Sequence, residues 1–375
     1  MMTTPCAPMN GKADAASHAG RKSSSSSAAA AAYAKIKRLS DSISGLSSLY
    51  PCEEVNGLFE ALVSACIDAE AEEEEVAQQL DSLVRYFSRR LGEDANGHGL
   101  RSIAYQMEPG GLHSLLPSAQ DRQRLIVKCA EAETLMERDF AQRLGALESE
   151  DEILASLQTF RFIRNYEKLT RLEYHLLLGQ ERCDPASLRN VAFVGSGPLP
   201  LTTLCLVNDF LPQHAVVTNY DIDRESNRIA RRWMHALPSL RERVAFQTSD
   251  ILDVPHEELR RFDVVVLAAL VGLAPKMKSR ILHHLRLGMK DGSYLLLRSA
   301  EGAKAFLYPV VGMGDLREWT VCSVTHPKGE VVNSDCGHEE TGYRRGFVDL
   351  RMFSYSGIGL AVDRQGNRKP SAKWA

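Results

Sequence analysis

Val191-Ala192-Phe193-Val194-Gly195-Ser196-Gly197-Pro198-Leu199-Pro200 is the stretch that decides the fold. Its four apolar residues form a run too short for a buried helix and suited to a strand covered on both faces, the habit of parallel sheets. Two glycines close the run, and a helix-like stretch follows over 201–210. Outward from there the pattern repeats: strands are predicted over 215–220, 244–248, 263–268 and 293–298, with helices over 224–237 and 276–287 between them. Short apolar strands alternating with helices of ten to fifteen residues give an α/β fold, a doubly wound parallel sheet.

Upstream, over 46–180, apolar residues recur three and four apart, as in Val55, Leu58, Phe59, Leu62 and Val63, and strand-like alternation is absent. Helices are predicted over 119–147, 152–162 and 166–178, the last ending at Gly179. Gly97, Gly99, Pro109, Gly110 and Gly111 mark loops, and the acidic run 70–75 reads as a solvated loop or helix start. Ser23–Ser27 and Ala28–Ala32 belong to a low-complexity start expected to be disordered. The division is therefore a disordered 1–45, an all-helical N-terminal domain over 46–185, a sheet domain over 186–334 and a tail over 335–375, with one added strand expected at 347–353.

Composition narrows the class. In 375 residues, 45 Lys and Arg stand against 48 Asp and Glu, a net charge of −3 with 44% hydrophobic residues, which argues against a polybasic nucleic-acid binder and against global disorder. No run approaches the ~18 apolar residues of a transmembrane helix. Eight scattered cysteines without a CxxC pair point to reduced thiols in a cytoplasmic setting, and eleven histidines without ligand spacing imply no metal in the protein itself. The basic, Ser-rich first residues also share the composition of a targeting peptide.

Ligands of open α/β sheets bind beyond the strand ends where the order reverses, so the loop Gly195-Ser196-Gly197 is the first candidate. Its glycines allow close approach and positive φ. Pro200 stands where a dinucleotide fingerprint needs its third glycine, which argues against a pyrophosphate ligand. Asp221 closes the second strand, where a carboxylate can accept both ribose hydroxyls, while Asp223 reads as the cap of the next helix. Asp250 follows the third strand, placed either to meet an adenine amino group or to cap a loop. Glycine loop, ribose acid and adenine-edge acid at this spacing describe a class I S-adenosylmethionine-dependent methyltransferase-like, Rossmann-like sheet. The small apolar stretch Ala268-Ala269-Leu270-Val271-Gly272 counts against a nucleobase substrate. Arg298 and Tyr308, after the last central strand, stand where they could meet substrate carboxylates, with a structural ion pair as the other role open to Arg298.

Several longer segments resemble a known family. VAFVGSGPLPLT (191–202), NYDID (219–223), FDVVVLAALVG (262–272), LLRSAEGAKAFLYPVV (296–311) and THPKGEVVNS (325–334) resemble nicotianamine synthase, as do LYPCEEVNGLFEALVSAC (49–66), CAEAE (129–133) and NYEKLTRLEY (165–174) in the helical block. The resemblance covers roughly 46–334. It implies that three S-adenosylmethionine molecules are condensed by successive 3-amino-3-carboxypropyl transfers into nicotianamine, a chelator of iron, zinc, copper and nickel, with release of three methylthioadenosines. It also implies S-adenosylmethionine as substrate with no further cofactor, no nucleic-acid or membrane partner, and an oligomeric state left open. The accepting amine must lose a proton before it attacks, so a general base is needed, a part that a carboxylate of raised pKa or a carboxylate–tyrosine pair could serve. Tyr166 matches the family's tyrosine. Glu133 is the favoured carboxylate, with Glu131 and Glu137 as alternatives; Glu133 and Glu137 share a helix face and Glu131 does not.

The chain departs from the family in its Ser/Ala-rich start, in its tail after Ser334, and in Arg161, Phe162, Ile163 and Arg164, where aromatic and proline positions are expected. Two other functions are weighed: a single-transfer aminocarboxypropyltransferase, and a catalytically silent S-adenosylmethionine sensor, which the retained Tyr166 and CAEAE acids disfavour.

Overall fold

The computed structural model describes residues 14–69, 71, 119–180, 183–274, 276–300, 302–325 and 359–363. Among the described residues five helices come first: α1 (Asp14–Ser44), α2 (53–69), α3 (Ala119–Leu144), α4 (Glu150–Leu157) and α5 (Ile163–Leu178). The acidic run 70–75 and the glycine-marked loops lie outside the described residues. α4 starts where Ser149 Oγ accepts the Glu152 N–H at 3.2 Å, and Glu150, Asp151 and Glu152 fill its first turn, where negative charge suits the helix dipole. It stops at Leu157, five residues short of the expected end, because 158–162 turns to launch α5.

Composition suggests that residues 1–45 are unstructured, whereas the described part of that span, Asp14–Ser44, is helix α1. Alanine is the best helix former, and from the alanine run onward α1 buries Ala32, Tyr33, Ile36 and Ile43, spaced to share one face. That face packs with Leu62, Ala65 and Cys66 of α2, Leu125 and Cys129 of α3, and Phe306 and Leu307.

The sheet follows: β1 (Asn190–Val194), α6 (Leu201–Cys205), β2 (Val216–Asp221), α7 (Arg224–Met234), β3 (Val244–Thr248), β4 (Val264–Leu267), α8 (Met277–Gly288), β5 (Tyr294–Leu297), β6 (Thr320–Thr325) and β7 (Gly359–Asp363). α6 runs into one wider π-turn over Leu206–Phe210. The strand order is β3-β2-β1-β4-β5-β7-β6. The first five strands are mutually parallel, and β7 is antiparallel to both β5 and β6. This is the methyltransferase-like sheet expected from the sequence. The tail differs from expectation: it supplies β7 at 359–363, inside the sheet, whereas 347–353 lies outside the described residues.

The order reverses at β1, flanked by β2 and β4, so the ends at Val194, Asp221 and Leu267 converge on one crevice. One face of the sheet shares a core with the helical layer: Phe193, Trp233 and Leu296 cluster with Phe140 and Leu144 of α3, Phe160 of the turn before α5, and Ile163 of α5. Trp233 is fully buried, and its indole N–H reaches Pro198 O at 3.2 Å, which fixes α7 to the glycine loop. The other face buries Val265, Leu267, Ile281 and Leu285. α3 is thereby held over the strand ends.

Candidate active site

Gly195 and Gly197 both have positive φ, 79° and 66°. A Cβ on Gly195 would lie 2.2 Å from Val271 Cγ2, and one on Gly197 would lie 3.1 Å from Glu137 Oε2. The loop is therefore glycine for two reasons: the dihedrals, and a helix carboxylate resting against it. Asp221 ties this loop to the next. Its Oδ2 accepts the Gly197 N–H at 2.8 Å and its Oδ1 the Asp223 N–H at 2.9 Å. Burial raises the Asp221 pKa, and those two N–H groups oppose the rise. Asp223 caps α7 as expected, accepting from the N–H groups of Glu225 and Ser226 and from Ser226 Oγ. Ser196 Oγ is buried at the crevice with no hydrogen-bond partner among the described residues.

Above the loop stand two carboxylate–tyrosine pairs on one helix face. Tyr166 Oη donates to Glu137 Oε1 at 2.8 Å, and Tyr308 Oη donates to Glu133 Oε2 at 3.2 Å. Tyr166 thus pairs with Glu137, the alternative, and not with the favoured Glu133. Glu131, two residues before Glu133, is exposed and does not line the crevice. Burial, then the neighbouring Glu133 charge, raises the Glu137 pKa well above the carboxylate range, against the Tyr166 hydrogen bond. Burial likewise lifts Glu133 to about 7, opposed by Tyr308 and Arg298. Both acids hold a proton more readily than an ordinary carboxylate.

Arg298 lines the crevice but is tied to Glu173: Nε donates to Oε1 at 2.7 Å, Nη2 to Oε2 at 2.8 Å, and Nη2 also to Thr202 Oγ1 at 2.8 Å. It has the ion-pair role that was open to it, and it places fixed positive charge beneath the two glutamates. Asp250 also lines the crevice, with Oδ1 accepting the Leu252 N–H at 3.0 Å, so the loop-capping role is present.

Two further residues were not singled out in the sequence. Arg138, next to Glu137 in the chain, reaches Asp223 Oδ2 at 2.7 Å and binds α3 to the ribose-side loop. Lys278, buried in α8, donates to the carbonyls of Ala268 and Ala269, each at 3.0 Å, and so turns the polar atoms of the β4 loop away from the crevice; burial lowers its pKa to about 7. A buried lysine could be suspected from its place in the amphipathic pattern of α8, but its carbonyl partners could not.

The crevice encloses about 580 Å³ between the glycine loop, Asp221, Asp250, the 268–274 loop and α3. Behind the two carboxylate–tyrosine pairs lies a second cavity of about 100 Å³, walled by Val55, Phe59, Val63, Met136 and Leu307. Glu133, Glu137, Tyr166 and Tyr308 line both. A sulfonium donor resting on the glycine loop and an amine held from the helical side would meet at these acids. Among the described residues no helix is long and apolar enough to cross a membrane.

Comparison with known proteins bears on the family and the fold. Residues 108–336 match the family model described as nicotianamine synthase protein. The chain is 39% identical over 300 residues to probable nicotianamine synthase 4 of Arabidopsis thaliana, covering 80% of each chain. It is 40% identical over 303 residues to nicotianamine synthase 9 of Hordeum vulgare, covering 80% of this chain and 76% of the other. Among solved structures, a mutant of MtNAS in complex with S-adenosylmethionine shares the fold with a TM-score of 0.54 at 18% identity, covering 88% of this chain and 97% of that one. MtNAS in complex with MTA and tNA does so with a TM-score of 0.51 at 18% identity, covering 78% and 97%.

Proposed function

Because the chain belongs to the nicotianamine synthase family, we propose that its crevice seats S-adenosylmethionine on the glycine loop and presents it to an amine held at the Glu137–Tyr166 pair. The activity is that of the family: three S-adenosylmethionine molecules are condensed by 3-amino-3-carboxypropyl transfers into nicotianamine, a metal chelator, with three methylthioadenosines released. The observation that carries the assignment of roles is the 2.8 Å hydrogen bond from Tyr166 to a buried glutamate resting on Gly197.

In each transfer the accepting ammonium gives a proton to Glu137, whose raised pKa makes it a stronger base than an ordinary carboxylate. The freed lone pair attacks the carbon γ to the carboxylate on the donor. That carbon–sulfur bond breaks, its electron pair returns to sulfur, and the sulfonium becomes the neutral thioether of methylthioadenosine. Tyr166 donates to one carboxylate oxygen and leaves the other to face the amine. Glu133, with Tyr308, is a second proton acceptor beside the first, and the Arg298–Glu173 pair supplies potential without being free to clamp a carboxylate. Asp221 accepts the ribose hydroxyls, Asp250 stands at the adenine edge, and Ser196 Oγ offers a hydrogen bond to the donor's amino-acid end. What separates this reaction from methyl transfer is which carbon lies at attack distance, a matter of positioning.

The cytoplasm is the compartment we assign, on the scattered cysteines; a tagged chain found in an organelle would show that the first residues address it elsewhere. The test of function is incubation of purified protein with S-adenosylmethionine alone, followed by mass spectrometry. Nicotianamine with methylthioadenosine is expected. S-adenosylhomocysteine would mean methyl transfer, a one-transfer product would mean the shorter enzyme, and binding without turnover would mean a sensor.

A further inference from the structure

β3 is an edge strand, with β2 on one side and no strand on the other among the described residues. Its last two residues, Gln247 and Thr248, are exposed, yet the chain leaving them carries Ser249, Asp250 and Ile251 to the crevice. An edge strand lacks half of the ladder that would fix its end. Here α7 supplies support from positions four apart, which share a helix face. Asn227 Nδ2 donates to Gln247 O and to Thr248 Oγ1, both at 3.0 Å, and Arg231 donates to Phe246 O at 3.0 Å. His235, just past the helix, meets Val244 O through Nε2 at 3.1 Å.

Asn227 differs from the other two. It is buried, 3% exposed, and its Nδ2 also lies 3.4 Å from Asp221 O, the carbonyl that accepts the Ser249 N–H at 3.1 Å. One amide thus joins the last residue of β2 to the last two of β3. Its own Oδ1 is buried with no hydrogen-bond partner among the described residues. An unpaired buried oxygen costs stability, and an apolar side chain of the same size would avoid that cost. What Asn227 contributes is its NH2 group, and that group bonds only the two strand ends from which Asp221 and Asp250 project.

Resting on the reading of the crevice as an S-adenosylmethionine site, we infer that Asn227 is a positioning residue for base recognition, holding the end of β3 so that Asp250 meets the adenine edge while Asp221 takes the ribose. Asn227 itself does not line the crevice. The two acids depend on it unequally. Asp221 keeps its place through the N–H groups of Gly197 and Asp223, at 2.8 and 2.9 Å. Among the described residues the Asp250 carboxylate accepts only the Leu252 N–H, inside its own turn, so its position follows the end of β3. Loss of the Asn227 amide therefore moves the base edge and leaves the ribose seat.

The test is calorimetric titration of the full chain with methylthioadenosine and two analogues. Methylthioinosine carries an oxo group where adenine has its amino group, and the second analogue lacks one ribose hydroxyl. The native chain should prefer methylthioadenosine over each by about tenfold or more, the value of one hydrogen bond to a carboxylate. Asn227→Leu should lose most of the base preference and keep the ribose preference, and its KM for S-adenosylmethionine should rise severalfold with kcat changed less. Thr248→Val keeps the shape of an exposed side chain but removes one acceptor from Asn227. It should move the base preference the same way by a smaller factor, and it decides the matter if Asn227→Leu does not fold. A residue with a merely structural role would lower the melting temperature and leave both preferences intact, or erode both together. Either result would overturn the inference, as would an unchanged base preference in both variants. A native chain that shows neither preference would instead sink the nucleoside reading of the crevice, and this inference with it.

Discussion

Asp221→Asn separates the adenosine end of the site from the scaffold. The substitution keeps size and one carbonyl oxygen, removes the charge and turns an acceptor into a donor. In the structure the two oxygens take the N–H groups of Gly197 and Asp223 at 2.8 and 2.9 Å, so the new amide NH2 must face one of those N–H groups. A hydrogen bond to a charged group contributes about 1.5–3 kcal/mol, and about 1.4 kcal/mol is a factor of ten. Loss of one charge-assisted acceptor for the ribose hydroxyls should weaken S-adenosylmethionine binding by about 10- to 150-fold. Stability should move differently. Burial raises the Asp221 pKa above its unfolded value, so its contribution to stability is full below the unfolded value and is lost as pH rises through the folded one. At neutral pH the charge is therefore a burden on the fold, and its removal offsets the lost backbone hydrogen bond, so Asn should move the melting temperature only slightly. Calorimetric titration with S-adenosylmethionine and a thermal melt read the two effects. An unaltered dissociation constant would refute the ribose assignment; lost binding with a large fall in melting temperature would make Asp221 a scaffold residue instead.

Glu133→Gln takes away the like charge that helps to raise the Glu137 pKa. Activity needs the base deprotonated and so falls as pH drops through its pKa; with that pKa lowered, the acid limb of the kcat/KM profile should shift to lower pH, and a limb that stays put would uncouple the two acids. Arg298→Met strands Glu173, whose side chain is 2% exposed, and breaking a buried pair in this way costs about 3–5 kcal/mol. Denaturant unfolding should show that loss; unchanged stability would return Arg298 to the list of side chains available to substrate. Arg138→Gln should cost no more than about 1 kcal/mol of stability, because the pair with Asp223 is about a third exposed, so a loss much larger than this would mean that Arg138 holds more than the loop.

What could be read before the structure was what repeats or punctuates locally. The strands around 191–194 and 264–267 are continuous apolar runs, and Gly195, Gly197 and Asp221 sit at strand ends, where topology alone puts ligands. The choice between Glu133 and Glu137 was of another kind. Both lie on one face of α3, and only the placement of α5 across it, 29 residues on, decides which meets Tyr166. The Arg298–Glu173 pair joins positions 125 apart in sequence, across the sheet and the helical layer, and no pattern within either segment announces it. α1 hid in plain view. The alanine run reads as low complexity, yet Tyr33, Ile36 and Ile43 already had the spacing of a buried helix face. β7 at 359–363 pairs with β5 more than sixty positions earlier, so the sheet edge it completes was legible only in three dimensions.

The central claim is that Glu137, held by Tyr166 over the glycine loop, takes the proton that lets the amine attack. Glu137→Gln keeps the side chain's shape and its acceptor oxygen for Tyr166 but cannot take that proton. The measurement is rapid-quench formation of the first carbon–nitrogen bond by this variant at saturating S-adenosylmethionine. The account predicts an unchanged S-adenosylmethionine dissociation constant and a rate lower by about 10²–10⁴. Bond formation at the native rate would contradict it.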